Sequence, residues 1–297
     1  MVTRFMTFEQ YHGKRNIGST RIRVRNLLKY WQGADLYKYG ENPDVLIFQK
    51  VYMTGETYRS SAYQFHKYFP NIKILDICDP DWLSAGITKG CLIKETVDNV
   101  DAVVTSTEPL AEFIRQLTNK PVVTIDDRFI VDNVEAPKQH VGDAKSVVWF
   151  GYSHNAETLK QAIKVFERLD LSLTVISDKD PFAYRWATND EYKSKYIFKS
   201  YDETTIMDDL REHDICVLPM GYRPIDKYKS NNKTVKAWLA GLPVATNTED
   251  LERYMSARER NIEAISRWSE AKQEYDVRKS VDEYKALIKD ITNANKT

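Results

Sequence analysis

Short apolar runs rich in β-branched residues recur along the chain, and between them apolar positions return every three or four residues. The runs fall at 2–8, 45–52, 72–78, 102–106 and 122–126, then at 147–152, 173–177, 196–201, 215–219 and 243–247. They read as strands, and intervening stretches such as 109–117 and 156–169 read as amphipathic helices. Strand and helix alternating this regularly predict α/β architecture, with parallel sheets covered on both faces. Ten strands are too many for one comfortable sheet of this size. The polar stretch 132–145, with Pro137 and Gly142, lies near the middle. The pattern therefore predicts two doubly wound, Rossmann-like domains, 1–140 and 141–250, facing a cleft and followed by a helical segment over 251–297. Open parallel sheets gather ligands where strand C-terminal ends meet helix starts, so the loops after the strands carry the expected chemistry.

Composition narrows this picture. The 297 residues are 42% hydrophobic and 29% charged, a globular balance, and no apolar run is long enough to span a bilayer. Cys78, Cys91 and Cys216 show no CxxC spacing. The expectation is a reducing compartment, with the protein cytoplasmic or peripheral at the inner membrane face and without a transmembrane segment. Lys plus Arg equals Asp plus Glu at 43 each, yet residues 1–73 carry a formal +7 and the remainder −7. The neutrality is a cancellation between regions, so an anionic partner of the first quarter stays in view.

Five strand-end segments could carry chemistry. The first, 12–20, contains Gly13, Arg15, Gly18 and Ser19 and leads into a helix whose apolar stripe is Val24, Leu27, Leu28 and Trp31, capped by Ser19 or Thr20. Arg21, Arg23 and Arg25 stand in its first turns, where cations oppose the helix dipole; a stability-only sequence would place acids there. Glycines, free N–H groups and arginines at a helix start suit a phosphate. Lacking a Lys after the second Gly, the loop is not a P-loop. The second segment, Asp79-Pro80-Asp81, offers paired carboxylates that could deprotonate an acceptor hydroxyl or, as DxD, share a metal. The third ends a strand in Thr105-Ser106, with Thr107 as N-cap and Pro109 in the first turn of the following helix. The fourth turns at Gly151 into Ser153, His154 and Asn155, where nucleotide phosphates rest in doubly wound domains. The fifth runs from Lys229 through Ser230, Asn231, Asn232, Lys233 and Thr234 to Gly241-Leu242-Pro243-Val244, placing N–H groups and a cation at a helix start.

Together, Asp101-Ala102-Val103-Val104 with Thr107-Glu108-Pro109-Leu110, the Gly151 turn, Tyr201-Asp202-Glu203-Thr204 and the stretch 229–244 resemble the nucleotide-sugar glycosyltransferases of the GT-B fold, closest to the family 4 type. The resemblance is strongest over 196–248 and weakest over 1–90. It implies a nucleoside-diphosphate sugar, a UDP-sugar first, held mainly by the second domain, an acceptor bound by the first, and no obligatory metal. It implies donor contacts at Gly18, Ser19, Gly151, Ser153, His154, Asn155, Tyr201, Arg223, Lys229, Ser230, Asn231, Asn232, Lys233 and Thr234. Two features depart from the family. Its paired glutamates correspond here to Tyr228 and Lys236, and its basic diphosphate ligands after the Gly151 turn are replaced by His154 and Asn155. Those departures shift phosphate contacts toward Lys229, Lys233 and Arg223.

Asp79 and Asp81 are the candidate catalytic groups, and Arg15, Arg21, Arg23, Arg25, Thr105 and Ser106 the candidate acceptor contacts. A basic first quarter interleaved with aromatics such as Phe5, Phe8, Trp31, Tyr39 and Tyr52 suits an anionic acceptor. The leading expectation is a hydroxylated base in DNA, as in bacteriophage DNA glucosyltransferases, flipped out for reaction. The alternative is a lipid phosphate in bacterial surface-glycan assembly, approached through basic patches. A catalytically silent nucleotide- or nucleic-acid-binding partner is the reading from another class.

Overall fold

The structure, a computed structural model, describes residues 1–14, 17–54, 61–83, 90–182 and 196–294. It divides into two compact units that are discontinuous along the chain. The first comprises Met1–Ile130, Arg223–Ser230 and Tyr275–Thr297, and the second Val131–Tyr222 and Asn231–Glu274.

Among the described residues, the first unit holds a six-stranded parallel sheet. Its strands are β1 (Thr3–Thr7), β2 (Ala34–Leu36), β3 (Val45–Gln49), β4 (Ile72–Ile77), β5 (Ala102–Thr105) and β6 (Val122–Thr124), in the order β2-β1-β3-β4-β5-β6. Alternate residues serve two cores, as covered parallel sheets require. Phe5, Val45, Ile47, Ile74 and Val104 enter one cluster, while Met6, Leu46, Phe48, Leu75 and Val103 enter the other. The ten expected strands are present, and β2, short and partly exposed, is an addition. A helix over 18–28 (α1) buries Val24 and Leu27 but begins at Gly18, and neither Ser19 nor Thr20 caps it. Thr20 instead turns inward and donates to Gln49 Oε1 at 3.0 Å. Thr107 precedes the helix Glu108–Arg115 (α2), with Pro109 in its first turn as the sequence predicts.

The second unit holds a five-stranded parallel sheet of β7 (Ser146–Phe150), β8 (Ser172–Ser177), β9 (Tyr196–Ser200), β10 (Ile215–Val217) and β11 (Val244–Ala245), ordered β11-β10-β7-β8-β9. The stretch predicted as one helix over 156–169 divides. Ser153–Gln161 winds in 3₁₀ turns and Ile163–Arg168 is α-helical. Short polar side chains compete with regular backbone bonding here: Thr158 Oγ1 donates to the Asn155 carbonyl at 3.2 Å. The helix Asn232–Leu239 (α3) packs beside Ala257–Glu274 (α4), where the Arg267 guanidinium lies 5.1 Å from the Trp238 ring centre. At the end of α3, Gly241 has φ +76°, and a Cβ there would meet the Lys138 nitrogen at 2.3 Å. Only glycine fits that approach. Fully buried Arg260 ties the entering strand of chain to the helices, donating to the carbonyls of Tyr254 and Gly142, each at 2.8 Å.

The last helix, Val277–Ala294 (α5), belongs to the first unit. Its buried stripe of Val277, Val281, Tyr284, Leu287, Ile288 and Ile291 joins the cluster of Phe5 and Trp31. Phe5 meets Trp31 edge-on at 5.8 Å and Tyr284 at 6.1 Å, a geometry aromatic quadrupoles favour.

Two buried histidines make stability depend on pH. His66 stacks against Phe48 with ring centres 4.0 Å apart and meets the Val51 carbonyl at 2.7 Å, and burial pushes its pKa down to about 4. Burial likewise lowers His140 to about 4, its Nε2 lying 3.0 Å from the Gly241 carbonyl. The unfolded chain binds protons at these positions near pH 6.5, before the folded chain does, so stability falls as pH drops from about 6.5 toward 4. For His66 the loss across that window is roughly 3 kcal/mol. Denaturant titrations at pH 7 and pH 4.5 should show a smaller difference for His66→Gln than for the parent chain; an unchanged difference contradicts the assignment.

Candidate functional site

In the first unit, β1, β3, β4 and β5 end side by side, with Thr7 in register with Gln49, Gln49 with Asp76, and Ile77 with Thr105. The side chains at and just beyond these ends form a buried charged network. Arg23 of α1 donates from Nε to Asp76 at 2.7 Å and from Nη1 to Asp127 at 2.9 Å and to the Ile125 carbonyl at 2.9 Å. All three charged side chains are at most 4% exposed. Burial raises the Asp76 pKa, and the adjacent Arg23 opposes that rise. The second oxygen of Asp127 accepts from Ser230 at 2.6 Å.

A second cluster surrounds Lys50, the residue after β3. Its backbone lies in the left-handed region at φ +55°, a conformation that a residue with a Cβ adopts at a cost of about 1–2 kcal/mol. This turn brings the ammonium to Asp79 at 2.7 Å and Asp81 at 3.2 Å. Lys229 reaches the other oxygen of Asp79 at 2.8 Å, and Tyr52 donates to Asp81 at 2.8 Å. The carboxylates consequently separate in basicity. Burial alone would lift Asp79, but Lys50 and Lys229 outweigh it and hold its carboxyl well below the usual range. For Asp81 burial prevails over Lys50, the negative charge of Asp79 adds to it, and the pKa is raised. Two neighbouring acids with divergent pKa values allow division of labour, the more basic one being the better proton acceptor.

Segment 223–230 is held on this unit by two further contacts of Tyr228, one of them to a ring that is itself stacked. Thr107 Oγ1 donates to the Tyr228 carbonyl at 3.2 Å, the Tyr228 ring meets Trp82 at 6.5 Å, and Trp82 stacks on Phe113 at 4.6 Å. Arg223 folds onto Asp226 at 2.7 Å. The chain then passes from Ser230 in the first unit to Asn231 and α3 in the second.

The basic first helix is thus no uniform exposed stripe. Arg23 is buried, Arg25 pairs with the buried carboxylate of Glu9, Arg21 is half-buried, and Arg15 lies outside the described residues. Glu9 also accepts the Ile17 N–H, so an internal carboxylate stands at the start of α1, and Ser19 lies 3.5 Å from the Gln49 amide. Thr105 and Ser106 are buried, their hydroxyls donating to the carbonyls of Thr107 and Cys78.

In the second unit the Gly151 turn is clamped from β8. Ser177 Oγ donates to the Gly151 carbonyl at 2.8 Å, and Asp178 accepts the Ser153 N–H at 2.7 Å. A Cβ on Gly151, at φ +152°, would come within 3.3 Å of Trp149 and 3.5 Å of Lys233 Cδ, so the turn and the first turn of α3 lie against each other. Asn231 precedes α3, and its side chain makes no capping hydrogen bond; Asn232, Lys233 and Thr234 form the first turn. His154 is exposed and stacks on Tyr152 at 5.8 Å, while Asn155 donates its N–H to the Tyr152 carbonyl at 2.8 Å. Tyr201 and Glu203 meet Lys236, in the second turn of α3.

Sequence reasoning missed Lys50, Glu9, Asp127 and Asp178. A local signal existed for Lys50, a polar pair Gln49-Lys50 closing a wholly apolar strand, and for Asp178, an acid directly after β8. Among the described residues, no group of three or more His, Cys, Asp or Glu side chains could hold a metal ion, and no helix is long and apolar enough to cross a membrane. Removing one member of a buried ion network leaves its partners uncompensated, at roughly 3–5 kcal/mol. Arg23→Met should destabilise the chain by about that much, and Lys29→Met, on the exposed side of the same helix, by less than about 0.5 kcal/mol; equal effects in denaturant melts contradict the network.

No protein-family model matches the sequence, and no curated protein sequence matches it. Solved structures do. The structure is similar to the Anabaena HepE protein in complex with UDP, with a TM-score of 0.67 at 10% identity over 98% of this chain and 100% of that one. It is similar to TarM, with a TM-score of 0.59 at 12% identity over 82% of this chain. The chain spans only 54% of TarM, a protein also solved from S. aureus with UDP and α-GlcNAc-glycerol. T4 phage BGT in complex with its UDP-glucose substrate gives a TM-score of 0.55 at 8% identity over 96% of this chain and 97% of that one. At such identities the likeness is one of fold, and the fold is the expected one, two Rossmann-like domains of the GT-B type.

Proposed function

We propose that this chain is a glycosyltransferase that moves a sugar from a nucleoside diphosphate, UDP first, to a hydroxyl of a lipid-linked surface-glycan acceptor. The observation that carries this reading is the start of α3, where Asn232, Lys233 and Thr234 lie against the Gly151 turn. Glu9 stands at the start of α1, and Asp178 accepts the Ser153 N–H. At α3 the backbone N–H groups, the positive end of the helix dipole and the Lys233 ammonium favour a diphosphate. The same groups stabilise the negative charge that grows on the leaving nucleoside diphosphate as the bond to the sugar breaks, an effect commonly worth several kcal/mol.

In the first unit, Asp81 accepts the proton of the attacking hydroxyl, because its raised pKa makes it the stronger base. Asp79 holds Lys50 and Lys229 in place. The acceptor assignment follows from where the charge went. Arg4 pairs with Glu41, Arg23 with Asp76 and Asp127, Arg25 with Glu9, and Lys50 with Asp79 and Asp81. Phe5, Phe8, Trp31 and Tyr52 are core. With these four cations of the first quarter already paired, the charge left suits a single phosphate and sugar hydroxyls better than the repeated phosphates of a duplex. TarM, solved with α-GlcNAc-glycerol, supports the same choice. A hydroxylated DNA base is the second reading, favoured by the full-length likeness to the phage DNA-modifying enzyme.

The test is release of nucleoside diphosphate from a panel of UDP- and GDP-sugars, with lipid-phosphate acceptors or hydroxymethylated duplex DNA. Transfer dependent on the lipid acceptor supports the first reading, DNA dependence replaces it with the second, and no release with any pairing leaves a binding partner. Lys233→Ala should depress turnover at least a hundredfold while the fold melts normally. Asp81→Asn should do the same and abolish the acidic limb of the kcat/KM profile, which in the parent chain falls as pH drops through the Asp81 pKa. A retained limb removes Asp81 from the base role.

A further inference from the structure

Residue 50 carries two costs at one position. Its backbone is left-handed at φ +55°, a conformation that Gly or Asn takes more readily than Lys. Its ammonium is also withdrawn from water, the side chain being 11% exposed. A position kept for the turn alone would take Gly or Asn, and one kept for the core alone an apolar residue. Strain and a buried cation together point to a task that the lysine performs. The Lys50 N–H continues the ladder, donating to the Asp76 carbonyl at 3.0 Å. The turn then sends the side chain from the end of β3 to the loop after β4, where Asp79 and Asp81 stand.

The geometry there is uneven. Asp81 is the more buried acid, 9% exposed against 30% for Asp79, yet the ammonium lies 2.7 Å from Asp79 Oδ2 and 3.2 Å from Asp81 Oδ1. Ion pairing for stability would put the cation nearest the carboxylate that has lost the most water. Here a shorter contact to Asp81, 2.8 Å at Oδ2, comes from the neutral Tyr52 hydroxyl. Each Asp81 oxygen thus meets a donor from the segment after β3, which fixes the rotation of the carboxylate, while the closer approach of the cation goes to its neighbour. Also facing the cluster are Lys229 on Asp79 Oδ1, Cys78 at 3.7 Å from Asp79 Oδ2, His12 beside Lys50 and Cys91 beside Asp81. We infer that Lys50 is a positioning residue that orients Asp81 for the acceptor hydroxyl, and that Asp79 is the counter-anion that draws the ammonium away from Asp81 and so keeps it a base. This inference rests on the base role proposed for Asp81.

Two variants of the full chain should move the Asp81 titration in opposite directions, read by carboxyl-carbon NMR and beside it by the acidic limb of the kcat/KM profile. Lys50→Met removes the cation and should move both readouts up by about one pH unit or more, the usual effect of a charge at this range. Asp79→Asn keeps the shape, lets the ammonium settle on Asp81, and should move both down by a similar amount. A role confined to stability would lower the melting temperature of both variants and leave the Asp81 titration in place, or move it the same way in both, and either result overturns the inference. If Lys50→Met fails to fold, Asp79→Asn decides alone, and an unmoved or upward titration overturns the inference. An acidic limb retained in Asp81→Asn overturns the base role itself, whatever the other two variants show.

Discussion

A charge withdrawn from water must find its opposite, and the first unit is organised around that requirement. Arg23 cannot sit beneath α1 without Asp76 and Asp127, nor Lys50 in its left-handed turn without Asp79 and Asp81. The desolvation cost of each unpaired ion would be several kcal/mol, comparable with the whole stability of a domain. These pairs dictate where the ends of β3, β4 and α1 lie and what the following loops can do. They also fix segment 223–230, through Lys229 on Asp79 and Ser230 on Asp127, immediately before the chain enters α3.

The same requirement operates at two helix starts. Positive potential at a helix N-terminus attracts any available carboxylate, and Glu9 and Asp178 lie close enough to take it. Their presence makes α1 and the turn at Ser153 structural devices: one anchors the loop after β1, the other fixes the Gly151 turn. The proposed donor site is at α3, where Lys233 lies against the Gly151 turn. The turn is clamped by Ser177 and Asp178 and α3 packs on α4, and the proposed stabilisation of a leaving diphosphate draws on such preorganisation.

The fold was legible because a covered parallel sheet writes itself as apolar runs, and ten of them appear. The strand β2 was not, since three half-exposed residues carry no pattern. The stripe from Val277 to Ile291 signalled a helix, but nothing local says that it returns to the sheet of β1. The site was legible as far as its chemistry is local: Asp79-Pro80-Asp81 and Asn232-Lys233-Thr234 lie at strand and helix ends as their residue types suggest. What stayed hidden was pairing over distance. Lys50 and Asp79 are 29 residues apart, Arg23 and Asp127 104, and Lys229 and Asp79 150. The +7 of residues 1–73 therefore read as a surface field, although part of it is neutralised internally by acids both inside and far outside that stretch.

The proposal that the donor's diphosphate binds at the start of α3 is tested most directly by a crystal structure of the chain with UDP. The account predicts the diphosphate on the N–H groups of Asn232 and Lys233, with the Lys233 ammonium within about 3 Å of a phosphate oxygen and Glu9 and Asp178 still on their own helix starts. A diphosphate bound at Gly18 or at Ser153, with either carboxylate displaced, would contradict it.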